Sequence, residues 1–370
     1  MNNIMAVGKF LDQPRLVGKF SQSVPTILAI GGGLEVSKHL KETQKNKRKD
    51  EFIKSTFTLA GTMGTALVAT RGMKPRKIGK FLIKGFNGLS KKIDLKELSN
   101  KNTTLVNDFL KGNKVSEKTQ EILEKSKTKI LKLKEVKTIF SELSEKKNGK
   151  EFLNKLIPEP ENISSHQIFS EIKRLSIMGL VPVLGGITGG TVADKVTDKN
   201  WKEKVPNKIK EGTYQYLANI FLCNVGAGLA LGALEKAKIT SKSARAIGMT
   251  TGIVTTGIIG GSAIANFISK KCIDPLLGKK NKSEKLYSER KPEMLDIGLH
   301  TDDIATVAVL SGLKWIEPAL PVLYSISGYR AGIGYRNGKK FEDGVASGSV
   351  GLWKQDKQDT QHYESDVSNL

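Results

Sequence analysis

A chain of 370 residues carries 60 lysines and arginines against 37 acidic residues, a formal net charge of +23, and 51 of the 60 basic residues are lysine. Its two cysteines, Cys223 and Cys272, exclude a disulfide framework, and its four histidines (His39, His166, His300, His362) fall in no His-x-x-x-His or His-Glu-x-x-His frame. No metal, no cofactor and no enzymatic activity are therefore expected.

Residues 1–22 read as a basic N-terminal arm. Val-Gly-Lys-Phe occurs at 7–10 and again at 17–20, with a near copy at 78–81. An apolar side chain and a phenylalanine around a lysine suit the bilayer interface, although chance similarity in a lysine-rich chain accounts for three tetrapeptides equally well. The first apolar run starts only at Val24 and is soon followed by Glu35, unlike a cleaved export signal.

Residues 23–70 form an apolar hairpin. Val24–Leu34 is too short to cross a bilayer alone; Phe57–Thr70 reaches spanning length only if it begins near Phe52 and Lys54 snorkels outward.

Residues 71–174 form a basic, mostly helical extramembrane region, with 25 lysines and arginines against 13 acidic residues. This region lowers the mean hydropathy to −0.27. Ile78, Phe81, Leu82, Phe86 and Leu89 lie close to helical spacing, which predicts an interfacial helix whose Lys77, Lys80 and Lys84 meet anionic lipid headgroups. Ile130, Leu133, Val136, Phe140 and Leu143 predict an amphipathic helix that packs on a partner helix or on the membrane. Nucleic acid is the rival partner for such charge, but acidic residues interleave throughout and no helix-turn-helix, zinc or stacking-aromatic signature is present.

Residues 175–268 read as a three-segment, small-residue membrane bundle. Leu175–Ala193 holds Gly185/Gly189 and Gly186/Gly190, each pair four apart, and Tyr214–Leu234 holds Gly228 and Gly232. Ala246–Ile268 is uncharged for 23 residues, about 35 Å of helix against a hydrocarbon core of about 30 Å. Within it Gly248, Gly252, Thr256 and Gly260 recur every fourth residue, a stripe that lets a second helix approach closely. No lysine follows these glycines as a phosphate-binding loop requires, and none are spaced two apart as a dinucleotide fingerprint requires.

Residues 269–302 read as a polar loop, in which His300–Asp303 begins a helix cap rather than an ion site. In the Pro-interrupted apolar segment 303–333, Lys314 and Glu317 precede Pro318 and Pro321. Two readings follow: an intramembrane polar site of a transporter, or two short helices meeting at the interface with both charges in water, the reading preferred. A frame of Pro, aliphatic, Ile and Gly recurs from Pro25, Pro182 and Pro321, as shared membrane composition would also produce. Residues 334–370 read as a polar, disordered tail.

The sequence thus predicts an all-α fold: a multi-pass membrane helix bundle of four to six spans, rich in GxxxG-type helices, with a basic helical extramembrane region. Basic residues near the segment ends are balanced between the two sides, so they set no orientation. The expected role is non-enzymatic, structural or interaction-based, in a bacterial-type cytoplasmic membrane, with the lipid bilayer, anionic headgroups and a protein partner or second copy as partners. The alternatives are a channel or secondary transporter with its site near 303–333, and a soluble basic helical protein that binds membrane surfaces or acidic polymers.

Overall fold

The structure, a computed structural model, describes residues 3–79, 81–158, 165–239, 242–277 and 314–334. It is mostly helical. In chain order α1 (Asn3–Leu11), α2 (Pro14–Glu42) and α3 (Arg48–Arg71) lead into short strands β1 (Gly72–Met73), β2 (Arg76–Ile78), β3 (Phe81–Ile83) and β4 (Phe86–Asn87). Four helices follow: α4 (Leu95–Gly112), α5 (Glu117–Ser126), α6 (Leu133–Leu143) and α7 (Gly149–Leu156). Then come α8 (Ser165–Thr197), α9 (Trp201–Tyr216), a π-helical segment at Leu217–Phe221 and α10 (Leu222–Lys236). Next are α11 (Lys242–Gly252), a π-helical segment at Ile253–Gly261, α12 (Ser262–Ile268), a third π-helical segment at Ser269–Ile273 and α13 (Asp274–Leu277). A 3-10 turn at Lys314–Ala319 opens α14 (Leu320–Ile333).

Helices α4 to α7 build a core of their own. Asp94 caps α4 by accepting from the Lys96 and Glu97 amides at 2.8 and 3.2 Å, and Ser116 caps α5. The apolar faces of the four helices bury Leu123, Leu131, Val136, Ile139 and Leu143 completely, and Phe109 stacks on Phe152 at 4.1 Å. Each such aliphatic side chain contributes about 1.5–3 kcal/mol of burial. Of the two surfaces expected for the 130–143 helix, α6 uses neighbouring helices: Val136, Ile139 and Leu143 are its buried face.

The N-terminal arm is docked on this cluster. The Gln13 side chain donates to the Leu131 carbonyl at 2.9 Å and accepts from the Leu131 amide at 2.8 Å, in the manner of a strand pair. Arg15 donates to the Lys127 carbonyl at 3.0 Å, and Lys9 lies over the Phe140 ring at 5.4 Å. The three Val-Gly-Lys-Phe-like copies occupy three unrelated settings. The first is in α1 against α6, the second in α2 where Val17 is buried, and the third at a hairpin turn. They are not one repeated interfacial element.

The interfacial helix expected over 78–89 is instead that hairpin. Gly72 pairs with Asn87, Met73 with Phe86, Arg76 with Ile83, Lys77 with Leu82 and Ile78 with Phe81, one antiparallel register throughout. Its turn opens at Gly79, whose φ of 61° lies in the left-handed region. Pro75, Gly79, Gly85 and Gly88 all disfavour helix, and Gly85 and Gly88 sit where a Cβ would strike backbone across the ribbon.

The remaining helices form a second unit around α8. Three helical stretches are long and apolar enough to cross a membrane: Gln167–Thr197, Trp201–Lys236 and Ile247–Leu276. They contain the runs at 175–193 and 214–234 and all but the first residue of the run at 246–268. The Phe57–Thr70 run is part of α3 and Val24–Leu34 part of α2, neither of which meets that criterion. Helix continues past 268 to Leu277, so the expected polar loop starts later than 269; its residues 278–302, segment 303–313 and tail 335–370 lie outside the described residues.

Glu142 of α6 clamps the start of α5, accepting from the Ser116 amide at 2.8 Å, the Ser116 hydroxyl at 2.7 Å and the Thr119 hydroxyl at 2.5 Å. The Thr119 and Ser116 hydrogen bonds hold its carboxyl below the usual value. A depressed folded value contributes stability above the unfolded value, about 4.3 for glutamate, and that stability is lost as pH falls through the folded value. Acidification below about pH 4 should therefore release the start of α5, read as faster amide exchange at residues 116–119. Glu142→Gln should show the same loss at neutral pH.

Candidate functional site

Helix α8 carries two glycine pairs, 185–186 and 189–190, and the rotation of about 100° between adjacent residues aims their members at different neighbours. A Cβ on Gly185 would strike the Gly61 carbonyl and Thr65 of α3, and one on Gly189 the Phe57 carbonyl. On the adjacent face, a Cβ on Gly186 would strike the Gly328 carbonyl of α14, and one on Gly190 the Gly332 carbonyl. The order of these contacts makes α3 antiparallel and α14 parallel to α8. Gly228 and Gly248 meet side chains, of Ile172 and Leu234, while Gly252 meets the Gly226 carbonyl across the α10–α11 contact. Gly232 meets nothing within 4 Å, and Gly260 only the Thr255 carbonyl at 3.5 Å.

α9 and α10 run antiparallel to α8: Gly212 lies against Val183 and Ile187, Gly179 against Ile220, and Asn224 donates to the Ser176 hydroxyl at 3.5 Å. This arrangement places two buried charge clusters at opposite ends of α8. At the first, Arg174 bonds Glu317 at 2.8 Å, Glu171 at 2.7 Å and the Leu89 carbonyl at 3.0 Å. Ser90 donates to the same Glu317 oxygen at 3.3 Å. At the second, Lys208 pairs with Asp194 at 3.1 Å and donates to the Gly332 carbonyl, while Lys210 pairs with Asp274. Lys208 and Asp194 are about 5% exposed, so removing one partner strands a buried charge, which typically costs about 3–5 kcal/mol. Arg174 and Asp194 stand 20 residues apart on α8, about 30 Å at 1.5 Å per residue.

Glu317 is thus out of water. It is buried in an ion pair with Arg174, a residue 143 positions away. The side chain of Lys314 lies outside the described residues. Lys77 and Lys84 are exposed on the hairpin, and Lys80 is outside the described residues.

Between the two clusters runs a line of polar side chains along α9 and α10. Gln215 donates to Glu211 at 2.7 Å and Asn219 donates to Gln215 at 2.9 Å. Glu211, Gln215, Asn219 and Asn224 are 0, 0, 2 and 1% exposed. To one side of this line Tyr214 bonds Ser262 at 3.1 Å and Ala218 meets Gly261; to the other, Gly212 meets α8. Asn219 lies in the π-helical segment, where Cys223 Sγ donates to the Ala218 carbonyl at 3.0 Å. Sequence reading missed these residues because amides count as uncharged; the four-residue spacing of Glu211, Gln215 and Asn219 was the available signal. Among the described residues no group of three or more His, Cys, Asp or Glu could hold a metal ion.

The two glycine environments separate experimentally. Gly252→Ile drives a branched side chain into the Gly226 backbone, so the melting temperature in detergent should fall by several degrees, the scale of about 1–3 kcal/mol of overpacking. Gly260→Ile should leave it within about a degree. Equal losses would show that position 260 also faces a neighbour. No protein family, curated protein or solved structure matches this chain.

Proposed function

We propose that the chain is a multi-pass integral membrane protein in which a close-packed, small-residue helix bundle crosses the bilayer and carries a basic helical domain at one surface. The observation that carries this reading is the third apolar helix, Ile247–Leu276. Only 28% of its apolar window is buried, and Ile247, Val254, Ile259, Ile264 and Phe267 face outward. Such a surface is stable against lipid and is an association hazard in water. The 30 Å between the buried clusters on α8 matches the hydrocarbon thickness. α14 has only 14 residues, but nearly all of it is covered by protein, where short helices and broken backbone are tolerated.

The role proposed is non-enzymatic: a membrane-embedded scaffold whose outward apolar surface takes lipid or a second copy of the chain. The lysine bias is the ground for placing it in a bacterial-type cytoplasmic membrane. The basic hairpin, with Lys77 and Lys84 exposed beside Leu82 and Phe86, suits a surface of anionic headgroups.

Washing isolated membranes with alkaline carbonate should leave the protein in the pellet; release into the supernatant overturns the membrane reading. For the hairpin, replacing Lys77, Lys80 and Lys84 with Gln in a 71–95 peptide should weaken binding to anionic vesicles about a hundredfold, at about 1 kcal/mol for each basic residue. Equal binding of the native peptide to neutral and anionic vesicles removes the electrostatic argument.

A further inference from the structure

We infer that the outward strip of α8 and the α8–α9 turn form a site for one anionic phospholipid. Its acyl chain lies along Leu184, Thr188, Val192 and Val196, and its headgroup phosphate is held by Lys195 and Lys202. The inference rests on the membrane placement proposed above and deepens it, naming a lipid class and a place for it.

α8 is covered on three sides. Its glycine pairs meet α3 and α14, and Val183 and Ile187 meet Gly212 of α9. What stays open is a strip at four-residue steps, Leu184, Thr188, Val192 and Val196, of which Leu184 and Val196 are 52 and 62% exposed. Each four-residue step drifts by only about 40°, so these side chains keep to one side of the helix over about 18 Å. The Thr188 hydroxyl donates to the Leu184 carbonyl at 2.9 Å, and the strip therefore needs no polar partner along its length. A continuous apolar strip of this kind is covered by an apolar partner.

The strip ends in an excess of positive charge, which decides the kind of partner. Asp194 is taken by Lys208 at 3.1 Å and Asp198 by Lys204 at 2.6 Å. The turn is left with Lys195, Lys199 and Lys202 against Glu203. Lys195 and Lys202 lie over one ring, that of Trp201, at 6.0 and 5.8 Å from its centroid. Neither ammonium has a carboxylate partner among the described residues. The shared ring brings two like charges together, which repulsion opposes and an anion beside them relieves. Lys195 follows Asp194 directly, at the end of the roughly 30 Å span of α8. Tryptophan and lysine both settle at that depth, the lysine stem along the apolar strip and its head among the headgroups. A zwitterionic headgroup would bring a further ammonium to this group, whereas an anionic one brings only the missing charge.

The test uses the purified full chain with Trp201 as its only tryptophan (Trp315→Phe, Trp353→Phe), reconstituted into phosphatidylcholine bilayers, with insertion checked by carbonate resistance. A minor fraction of phosphatidylglycerol, or of phosphatidylcholine, carries a spin label near the headgroup end of its acyl chain, which quenches tryptophan fluorescence on contact. Labelled phosphatidylglycerol should quench Trp201 at an about tenfold lower mole fraction than labelled phosphatidylcholine. Lys195→Gln with Lys202→Gln should bring the two lipids close to parity, each lysine being worth about fivefold. Lys77→Gln with Lys84→Gln, at the opposite end of the bundle, should keep the difference. Lys195 and Lys202 are exposed, so their replacement leaves the packing intact. Should that variant still fail to insert, salt decides the matter on the native lysines. Raising it from about 0.01 to about 1 M shortens the screening length from about 30 to about 3 Å and should erase most of the difference. Equal quenching by the two lipids, or a difference that survives the loss of Lys195 and Lys202, survives high salt, or depends on Lys77 and Lys84, overturns the site and leaves the membrane placement intact. A chain that carbonate extracts overturns both.

Discussion

The bundle depends on one close approach: at four glycines of α8 its backbone meets the backbones of α3 on one face and α14 on the next. Glycine in a helix interior costs about 1 kcal/mol relative to alanine, and α8 carries four within six residues. The cost is offset because each missing Cβ is replaced by a neighbour's backbone, from α3 at Gly185 and Gly189 and from α14 at Gly186 and Gly190. At these separations Cα–H groups meet carbonyl oxygens directly, a weak interaction that recurs at such interfaces. Thr58 and Thr62 wedge between α3, α8 and α14, with methyls against Gly332 and Gly328. The Thr62 hydroxyl returns to the Thr58 carbonyl at 2.8 Å, and Thr65 does the same to Gly61 at 2.7 Å. Their polar atoms are satisfied within α3, so they fill a dry contact without needing water.

The second interface solves the same problem with a different helical pitch. Between α10 and the α11–α12 stretch the meeting points are Gly226 with Gly252, Cys223 with Gly257, and Ala218 with Gly261. On one side the steps are five and four residues; on the other they are three and five. A regular α-helix would rotate the small face away over a five-residue step. A π-helical turn, with its i to i+5 bond, absorbs the extra residue. Both five-residue steps coincide with such segments, 253–261 and 217–221. The π geometry thus keeps two small-residue faces in register, and one of these segments also carries Asn219.

This explains what sequence reading could reach. The uncharged runs at 175–193, 214–234 and 246–268 were visible because length and lack of charge survive any detail of packing. Spacing located Gly185, Gly189 and Gly252, but a strict four-residue period carried the stripe to Gly260, which the π segment turns off the contact. Gly61 and Gly332 stand out in no pattern and Gly328 only closes the frame from Pro321, because their helices are short or interrupted by charge and proline, so partner backbones could not be paired without the fold. The hairpin was hidden because Ile78, Phe81, Leu82 and Phe86 satisfy helical spacing, while the opposing signal lay in Pro75 and glycines of small individual weight. Glu317 could be seen as unusual in its apolar segment, yet its partner is 143 residues earlier, a distance over which no local pattern carries information.

The chain order of the bundle also accounts for a protein that is strongly basic and locally bare. α3 ends and α8 begins at the same end of the bundle, the end of the Arg174–Glu317 pair, so everything between them, hairpin and helical cluster included, is attached there. The opposite end gathers the α2–α3 and α8–α9 connections, with lysines at 45, 47, 199, 202 and 204. Positive charge therefore accumulates at both ends; over the roughly 30 Å between them it is sparse, with Arg330 of α14 buried between Gly328 and Gly332. That is why counting basic residues beside each segment gives no orientation: the sorting is between ends and middle, not between one end and the other. At the two ends Arg174 pairs with Glu317 and Lys208 with Asp194, and the buried polar groups between them include the amides of Gln215, Asn219 and Asn224 together with Glu211 and Arg330. The amides on α9 and in the π-helical segment are each bonded to a neighbour one turn away on the same face, so the line that begins at Glu211 is where buried polar groups follow one another.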